Sequence, residues 1–585
     1  MLRPLAVVLS LAASASAIWP APISMTQGNS TLWLTQTVEI TYNGDFMPYT
    51  YGYTPTGPDW TSKDIVQGGV SRALGQIFGD YFVPWMLHTR EEQATFEPKV
   101  MSNKTWIESL EITQTGEDSE DTWKAAAGEV DESYSLSLSK DGKAKIGAAS
   151  SIGVLHALQT FTQLFYRHSG GPFWYTPMAP IDIEDSPTFA HRGLLMDVSR
   201  HYFPMEDIYR TLDALSWNKM NRLHIHATDS QSWPLEIPSL PEVSAKGAYH
   251  PSLVYTPTDL KNIQEYGAMR AVQVIIEIDM PGHIGVLGES HPELVVAYDE
   301  RPYYWWCAQP PCGALRLNNS DVDEFLGTLF EDLLPRVSPY SSYFHTGGDE
   351  LNANDSMLDP GVQSNDTEVL KPLLQNFIDL NHGRVKDAGL TPIVWEEMAI
   401  DWDIDMDPET TVVQSWLGTV SNLTEKGFKV IDTNYNFWYL DCGRGQWLTF
   451  DNDANATFYP FNDWCGPTKP WQLIYSHDPT EGLPEEQAKL VIGGEVAAWS
   501  ETIDPANMDT LVWPRAGAAA EVLWSGRYDA DGEPRSQLDA APRLQEMRAR
   551  MVTRGVKASP ITQQWCVQMG GDPLACSYDL NPYGH

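Results

Sequence analysis

The chain has 585 residues, 42% hydrophobic and 20% charged, with 38 Lys and Arg against 78 Asp and Glu for a formal net charge of −40. That apolar fraction excludes bulk disorder, and at roughly 150 residues per domain more than one domain is expected. The acidic balance excludes nucleic acid as a partner, because phosphate binding needs a basic surface, and disfavours acidic lipid headgroups for the same reason.

Residues 1–17 read as a signal peptide: Arg3 supplies a positive start, Leu5 to Leu11 an apolar run, and Ala15-Ser16-Ala17 a small-residue cleavage site. The run is too short to span a bilayer, and no later stretch reaches about 18 uninterrupted apolar residues. A secreted, extracellular protein is therefore expected. Its six cysteines suit an oxidising compartment, and their spacing suggests three local loops, Cys307–Cys312, Cys442–Cys465 and Cys566–Cys576. No CxxC pair supports a zinc ribbon or thioredoxin chemistry. N-x-[ST] sequons at Asn29, Asn103, Asn318, Asn354, Asn365, Asn422 and Asn455 imply a glycoprotein.

Residues 18–105 are rich in Gly, Pro and Thr and weakly periodic, with strand-like pieces such as Thr37–Thr41. They read as a leader or propeptide and the start of an N-terminal domain. Residues 106–180 read as a small α+β domain. Ile107–Thr113 and Tyr134–Leu138 alternate, Asp141-Gly142 marks a turn, and Ile152, Leu155, Leu158, Phe161 and Phe165 recur at helical spacing. Pro177, Pro180 and Pro187 suggest a linker. Over 187–555 short apolar runs alternate with amphipathic segments. The runs are Gly193–Val198, Arg222–Thr228, Val272–Ile278, Tyr343–Thr346, Pro392–Glu396, Thr411–Trp416, Lys429–Thr433 and Leu490–Ala497. This alternation predicts an α/β fold, a parallel (β/α)8 barrel. The competing doubly wound sheet lacks any GxGxxG or GxxxxGK[ST] after a strand. Residues 556–585 read as a tail stapled by Cys566–Cys576.

In a barrel, functional residues gather beyond the carboxyl ends of the strands. There the sequence places Asp197, Arg200 and His201; His224, His226 and Asp229; Asp279 and His283; Asp349 and Glu350; Trp395, Glu396 and Glu397; Trp416; Tyr439 and Asp441; and Trp499 and Glu501. Three chemistries could use this ring. A metallohydrolase would take His224, His226, His283 and Asp349 as ligands. A glycosidase with a classical carboxyl pair would set two carboxyl groups across the scissile bond. Substrate-assisted hydrolysis, in which a 2-acetamido oxygen attacks the anomeric carbon, needs an acid, a carboxylate on the acetamide N–H, and an aromatic wall. An inactive sugar-binding module is the reading from outside enzymology.

The strings HRGLLMDVSRHYF (191–203), HIHATDSQSWP (224–234), IDMPGHIG (278–285), HTGGDE (345–350), WYLD (438–441), GGEVAAWSE (493–501) and WPRAGAAAEVLWS (513–525) resemble glycoside hydrolase family 20, the β-N-acetylhexosaminidases. The resemblance covers roughly residues 106–555 and is strongest to secreted fungal members acting on chitin oligosaccharides. It implies an enzyme without cofactor or metal that removes terminal N-acetylglucosamine or N-acetylgalactosamine with retention. Family members often dimerise, so a homodimer is the assembly it suggests. It implies Glu350 as general acid and base, Asp349 as the acetamide partner, and Tyr439 holding the acetamide oxygen. Arg192, Asp441 and Glu501 would clamp the sugar hydroxyls, while Trp395, Trp416 and Trp499 would form pocket and platform. Asp229 and His283 would tune Glu350, with Asp279 steadying His283. Two positions depart from the family strings: Ser230 replaces a second Asp, and Ile225 replaces an aromatic.

Overall fold

The computed structural model describes residues 18–50, 52, 60–100, 103–449, 462–569 and 576–577. The expected signal peptide and the Asn455 sequon lie outside the described residues.

The small domain is a seven-stranded sheet of β1 (Ser24–Tyr42), β2 (Asp45–Phe46), β3 (Trp106–Gln114), β4 (Tyr134–Leu138), β5 (Lys143–Ala148), β6 (Tyr166–Arg167) and β7 (Trp174–Asp185). The strand order is β2-β1-β3-β5-β4-β7-β6, with β1 also pairing β7. Helices α1 (Ser62–Gly79) and α2 (Ser151–Gln163) cover it. In β4, Tyr134, Leu136 and Leu138 face inward and the serines between them outward, the alternation that a half-buried strand requires.

Two sequence expectations are corrected here. Residues 18–105 are not a detached leader: β1 pairs with β3 and β7, and α1 packs on α2, so this stretch is part of the domain's frame. Its weak periodicity has a physical cause, since β1 changes register between Gln27 and Leu32 and again between Leu34 and Glu39, which interrupts the alternation. The proline-marked stretch is not a linker either. Strand β7 runs through Pro177 and Pro180, and Pro180 sits where the pairing with β1 shifts register, a place where a missing N–H costs no ladder bond.

The eight expected runs become β8 (His191–Asp197), β9 (Arg222–His226), β10 (Gln273–Glu277), β13 (Tyr343–His345), β14 (Thr391–Trp395), β15 (Val412–Ser415), β16 (Lys429–Asp432) and β17 (Val491–Ala498); a short ribbon of β11 (Val295–Val296) and β12 (Ala314–Leu315) intervenes. They close in the order β10-β13-β14-β15-β16-β17-β8-β9, all parallel. Register places Asp197 beside His226, His226 beside Glu277, and Glu277 beside His345, so the carboxyl end of the barrel carries an ionic ring. Among the described residues no helix is long and apolar enough to cross a membrane.

The two domains are joined by buried charge. Lys219 Nζ lies 2.8 Å from Asp185 Oδ2 and 2.8 Å from the Tyr134 hydroxyl, over the face of Trp524, whose indole N–H donates to Asp185 at 3.0 Å. Arg192, expected to clamp sugar, belongs to this seam. It is 0% exposed at the start of β8, and its guanidinium is spent on Glu132 (2.5 Å) and the carbonyls of Phe189 and Lys219. The amino end of a barrel strand faces away from the active end. Trp19 closes the seam, its backbone N–H donating to Gln163 Oε1 (2.8 Å) and its indole N–H to Gly517 O (3.1 Å).

Asp185→Asn is expected to leave the Lys219 ammonium buried without its anion, a loss of about 3–5 kcal/mol. Calorimetry should show a lower Tm, whereas Lys489→Ala, which removes a pair of solvent-exposed contacts to Glu485 and Glu486, should leave Tm unchanged.

Candidate active site

The string HTGGDE leaves β13 through two glycines with positive φ, +70° at Gly347 and +107° at Gly348. A Cβ on Gly347 would stand 1.8 Å from Asp279 Oδ1, the oxygen that accepts the Gly348 N–H at 2.9 Å. Only glycine lets the chain lie this close to Asp279 and then turn. The turn leaves Asp349 8% exposed and sets Glu350, itself at φ +53°, at the mouth. His283 Nε2 lies 3.2 Å from Glu350 Oε2 and 3.9 Å from Asp349 Oδ2. Asp349 Oδ1 is buried with no protein hydrogen-bond partner, so it is free to take a ligand's donor.

Asp279 does not serve His283 as expected. It braces the Gly348 turn and sits against Asp349, while His283 Nδ1 bonds Asp229 Oδ1 at 3.2 Å. Burial pushes the Asp279 carboxyl well above its usual range, with the charge of Asp349 adding to it. Burial raises Asp349 as well, against the pull of His283. Both carboxyls are thus shifted toward holding a proton more tightly than an exposed aspartate does.

Asp229 gathers four donors: Arg200 at 2.7 Å, His226 Nε2 at 2.8 Å, His283 Nδ1 at 3.2 Å and the Ser230 N–H at 2.6 Å. Its carboxyl is held far below the usual range, because Arg200 and His283 overcome the cost of burial. Arg200, not Arg192, is the arginine of this string at the active end of the barrel. It stands beyond the carboxyl end of β8, bonds Gln231 Oε1 and Asp197 Oδ2, and lies 5.2 Å from the Trp499 ring. The signal was present, since Arg200 belongs to the same string as Arg192 and lies on the active side of the strand. Of the other two residues expected to clamp the sugar, Glu501 feels the charge of Arg200, and Asp441 that of Glu501; burial raises both carboxyls. Asp441 Oδ1 also lacks a protein partner.

The aromatic residues converge. Trp416 and Tyr439 stack at 6.3 Å with planes 17° apart, Trp499 lies 6.3 Å from Tyr439, and Trp395 lies 6.2 Å from Trp499. Trp464, which the sequence reading did not single out, closes edge-on over Trp416 and Tyr439 and stays 64% exposed. It is adjacent to Cys465, and all three expected disulfides form. Glu396 and Glu397 hold Trp416 in place: Glu396 Oε1 accepts its backbone N–H at 2.7 Å and Glu397 Oε1 its indole N–H at 2.9 Å.

His224 and His226 are each set against buried carboxylates. His226 lies between Glu277 (2.6 Å) and Asp229 (2.8 Å), and His224 between Glu277 (3.1 Å) and Glu495 (3.0 Å). Carboxylates only accept, so both His226 nitrogens and His224 Nδ1 donate, while His224 Nε2 stands near Glu277 without a hydrogen bond. Burial alone would lower His224, but Glu495 and Glu277 push it up to about 9. The two departures from the family strings are accommodated, as Ser230 Oγ accepts the Gly285 N–H at 3.1 Å and Ile225 is buried in the barrel core.

A parallel barrel whose active end unites an Asp-Glu pair, a histidine and an aromatic cup defines a glycoside hydrolase. Residues 189–527 match the catalytic domain of glycosyl hydrolase family 20, and residues 18–164 match a domain described as beta-acetyl hexosaminidase like. The chain is 40% identical to a beta-hexosaminidase of Arthroderma benhamiae, covering 96% of this chain and 97% of that protein. It is 32% identical to a chitooligosaccharidolytic beta-N-acetylglucosaminidase of Ostrinia furnacalis, over 77% of this chain and 76% of that one. Among solved structures, the Flavobacterium johnsoniae chitobiase superposes with a TM-score of 0.68 at 25% identity, over 92% of this chain and 73% of that chain. The chain belongs to glycosyl hydrolase family 20 and is a hydrolase of the β-N-acetylhexosaminidase type.

Two outcomes are expected. Gly347→Ala should displace the Asp349-Glu350 turn and lower kcat about 10²-fold, the scale of a 1 Å misplacement, as measured by steady-state kinetics. His224, raised from about 6.5 to about 9, contributes stability that is complete below the first value and is lost as pH rises through the second. Tm should therefore decline across that window, and decline less in His224→Gln.

Proposed function

We propose that this protein is a secreted exo-acting β-N-acetylhexosaminidase that frees terminal N-acetylhexosamine from chitin oligosaccharides and related glycans by substrate-assisted catalysis. The observation that carries the reading is the placement of Asp349 and Glu350. They are neighbours on one turn with carboxylate oxygens within 4.8 Å of each other, one buried beside the aromatic cup and one at its mouth. A direct displacement would set its two carboxyl groups on opposite sides of the sugar. Here both lie on one loop, which suits an acid and an acetamide partner.

Glu350 protonates the glycosidic oxygen as the acetamide carbonyl oxygen attacks C1. Asp349 accepts the acetamide N–H, making the carbonyl oxygen a better nucleophile and offsetting the charge that develops on the oxazolinium. The Tyr439 hydroxyl donates to that carbonyl oxygen and keeps it in line. Trp395, Trp416 and Trp499 surround the N-acetyl group and the sugar face. The Glu350 carboxylate then takes a proton from water, which opens the oxazolinium at C1 with overall retention. Arg200, Asp441 and Glu501 take the sugar hydroxyls, and their closed arrangement suits removal of one sugar at a time. An uncharged substrate has no need of electrostatic steering, so the net charge of −40 serves solubility. The leader at 1–17, the three disulfides and the sequons support secretion.

With an aryl β-N-acetylglucosaminide, Glu350→Gln and Asp349→Asn should each lose several orders of magnitude in kcat. Arg200→Ala should raise KM, whereas Arg192→Met should lower Tm and leave KM unchanged. Equal KM effects at the two arginines would return the clamp role to Arg192.

A further inference from the structure

Glu277, the last residue of β10, is fully buried and was not singled out in the sequence. Its two oxygens serve opposite halves of the site. Oε2 accepts from His226 Nδ1 at 2.6 Å and lies 3.1 Å from His224 Nε2. Oε1 accepts the indole N–H of Trp395 at 2.8 Å, and His345 Nδ1 stands 3.2 Å from it. From Oε2 the contacts continue through His226 Nε2 to Asp229 (2.8 Å), through His283 Nδ1 (3.2 Å), and from His283 Nε2 to Glu350 (3.2 Å). From Oε1 one bond reaches the floor of the aromatic cup, where Trp395 lies 6.2 Å from Trp499.

We propose that Glu277 is a positioning residue that ties the acid Glu350 to the N-acetyl pocket, its one carboxylate fixing both the His226 relay and Trp395. This rests on the roles given above to Glu350 and to the tryptophans.

The proton arrangement follows from donors and acceptors. With a carboxylate on each nitrogen, at 2.6 and 2.8 Å, His226 donates at both and is an imidazolium. Its charge is shared by Glu277 and Asp229. Asp229 also takes Arg200, so the His283 Nδ1 proton points at Asp229 and Nε2 is left to exchange a proton with Glu350. Glu277, Glu495 and Asp229 are the buried anions facing His224 and His226; Arg200 and His283 on Asp229, His191 on Glu495, and His345, Asp279 and Asp349 are the remaining ionisable groups around them. Three carboxylates, Glu277, Glu495 and Asp229, against two imidazoliums and the Arg200 guanidinium leave the barrel interior close to neutral, the condition for keeping charge out of water.

A neutral amide cannot reproduce this, because a glutamine side chain at this position has one accepting oxygen where His226 and Trp395 both present donors. Glu277→Gln should therefore lower kcat, displace the pH profile of kcat/KM, and weaken inhibition by N-acetylglucosamine. A residue that merely filled space would lower Tm without moving the pH profile. The coupling is also read without touching Glu277. Trp395→Phe removes a donor from Oε1 and should shift the pH profile although it lies in the pocket. His226→Gln should weaken N-acetylglucosamine inhibition although it lies on the acid's side, and the His226→Gln/Glu277→Gln pair should shift the profile less than the sum of the two. Glu277→Gln that folds with a wild-type pH profile and wild-type inhibition would overturn the proposal. If that variant does not fold, an unmoved pH profile in Trp395→Phe together with unmoved inhibition in His226→Gln would do so. A wild-type enzyme that releases no aglycone would instead refute the reading of the activity itself.

Discussion

Asp229 is the carboxylate on which the active end of the barrel depends. It is buried after β9 and compensated by Arg200 from β8, by His226 from its own strand and by His283 from the loop after β10. A buried carboxylate is tolerable only when donors replace the water it has lost. Here two of the donors that keep Asp229 ionised also reach the aromatic cup and the expected acid. The arginine is aimed past the Trp499 face, and the histidine is held with Nε2 toward Glu350. Satisfying one charge thus sets the geometry of three strand ends.

The same economy governs the other side of the cup. Glu396 and Glu397 are spent on Trp416, and Asp279 on the glycine turn that delivers Asp349. Several carboxyls near the site, Asp349 and Asp441 as well as Asp279 and Glu397, keep one buried oxygen without a protein partner. Under the proposed mechanism, a substrate's N–H and O–H groups would supply what the protein does not at Asp349 and Asp441. Behind this, the small domain is fixed to the amino end of the barrel by Lys219, Asp185, Arg192 and Glu132. It braces the scaffold from the side remote from the chemistry.

Much of this was legible in the sequence, and the exceptions have physical causes. All eight barrel strands appear as apolar runs, because a strand buried on both faces needs no alternation to be seen. β1 and β7 were obscured because register shifts and prolines break the period by which a strand is recognised. Asp349, Glu350, Tyr439 and the three tryptophans are brought together as the strings implied. Arg192 was misplaced because a string of letters does not say which end of a strand faces the site; the rule that function gathers at the carboxyl ends already favoured Arg200. Glu277 escaped notice because a lone Glu inside an apolar run gives no sign of its partners. They come from three other strands and meet only when the barrel closes.

The central claim is that the substrate's own acetamide is the nucleophile. Its most direct test is to compare kcat/KM for an aryl β-N-acetylglucosaminide with that for the aryl β-glucoside, which carries a 2-hydroxyl in place of the acetamide. The account predicts turnover of the first and essentially none of the second. Comparable turnover of both would place the nucleophile on the protein and contradict it.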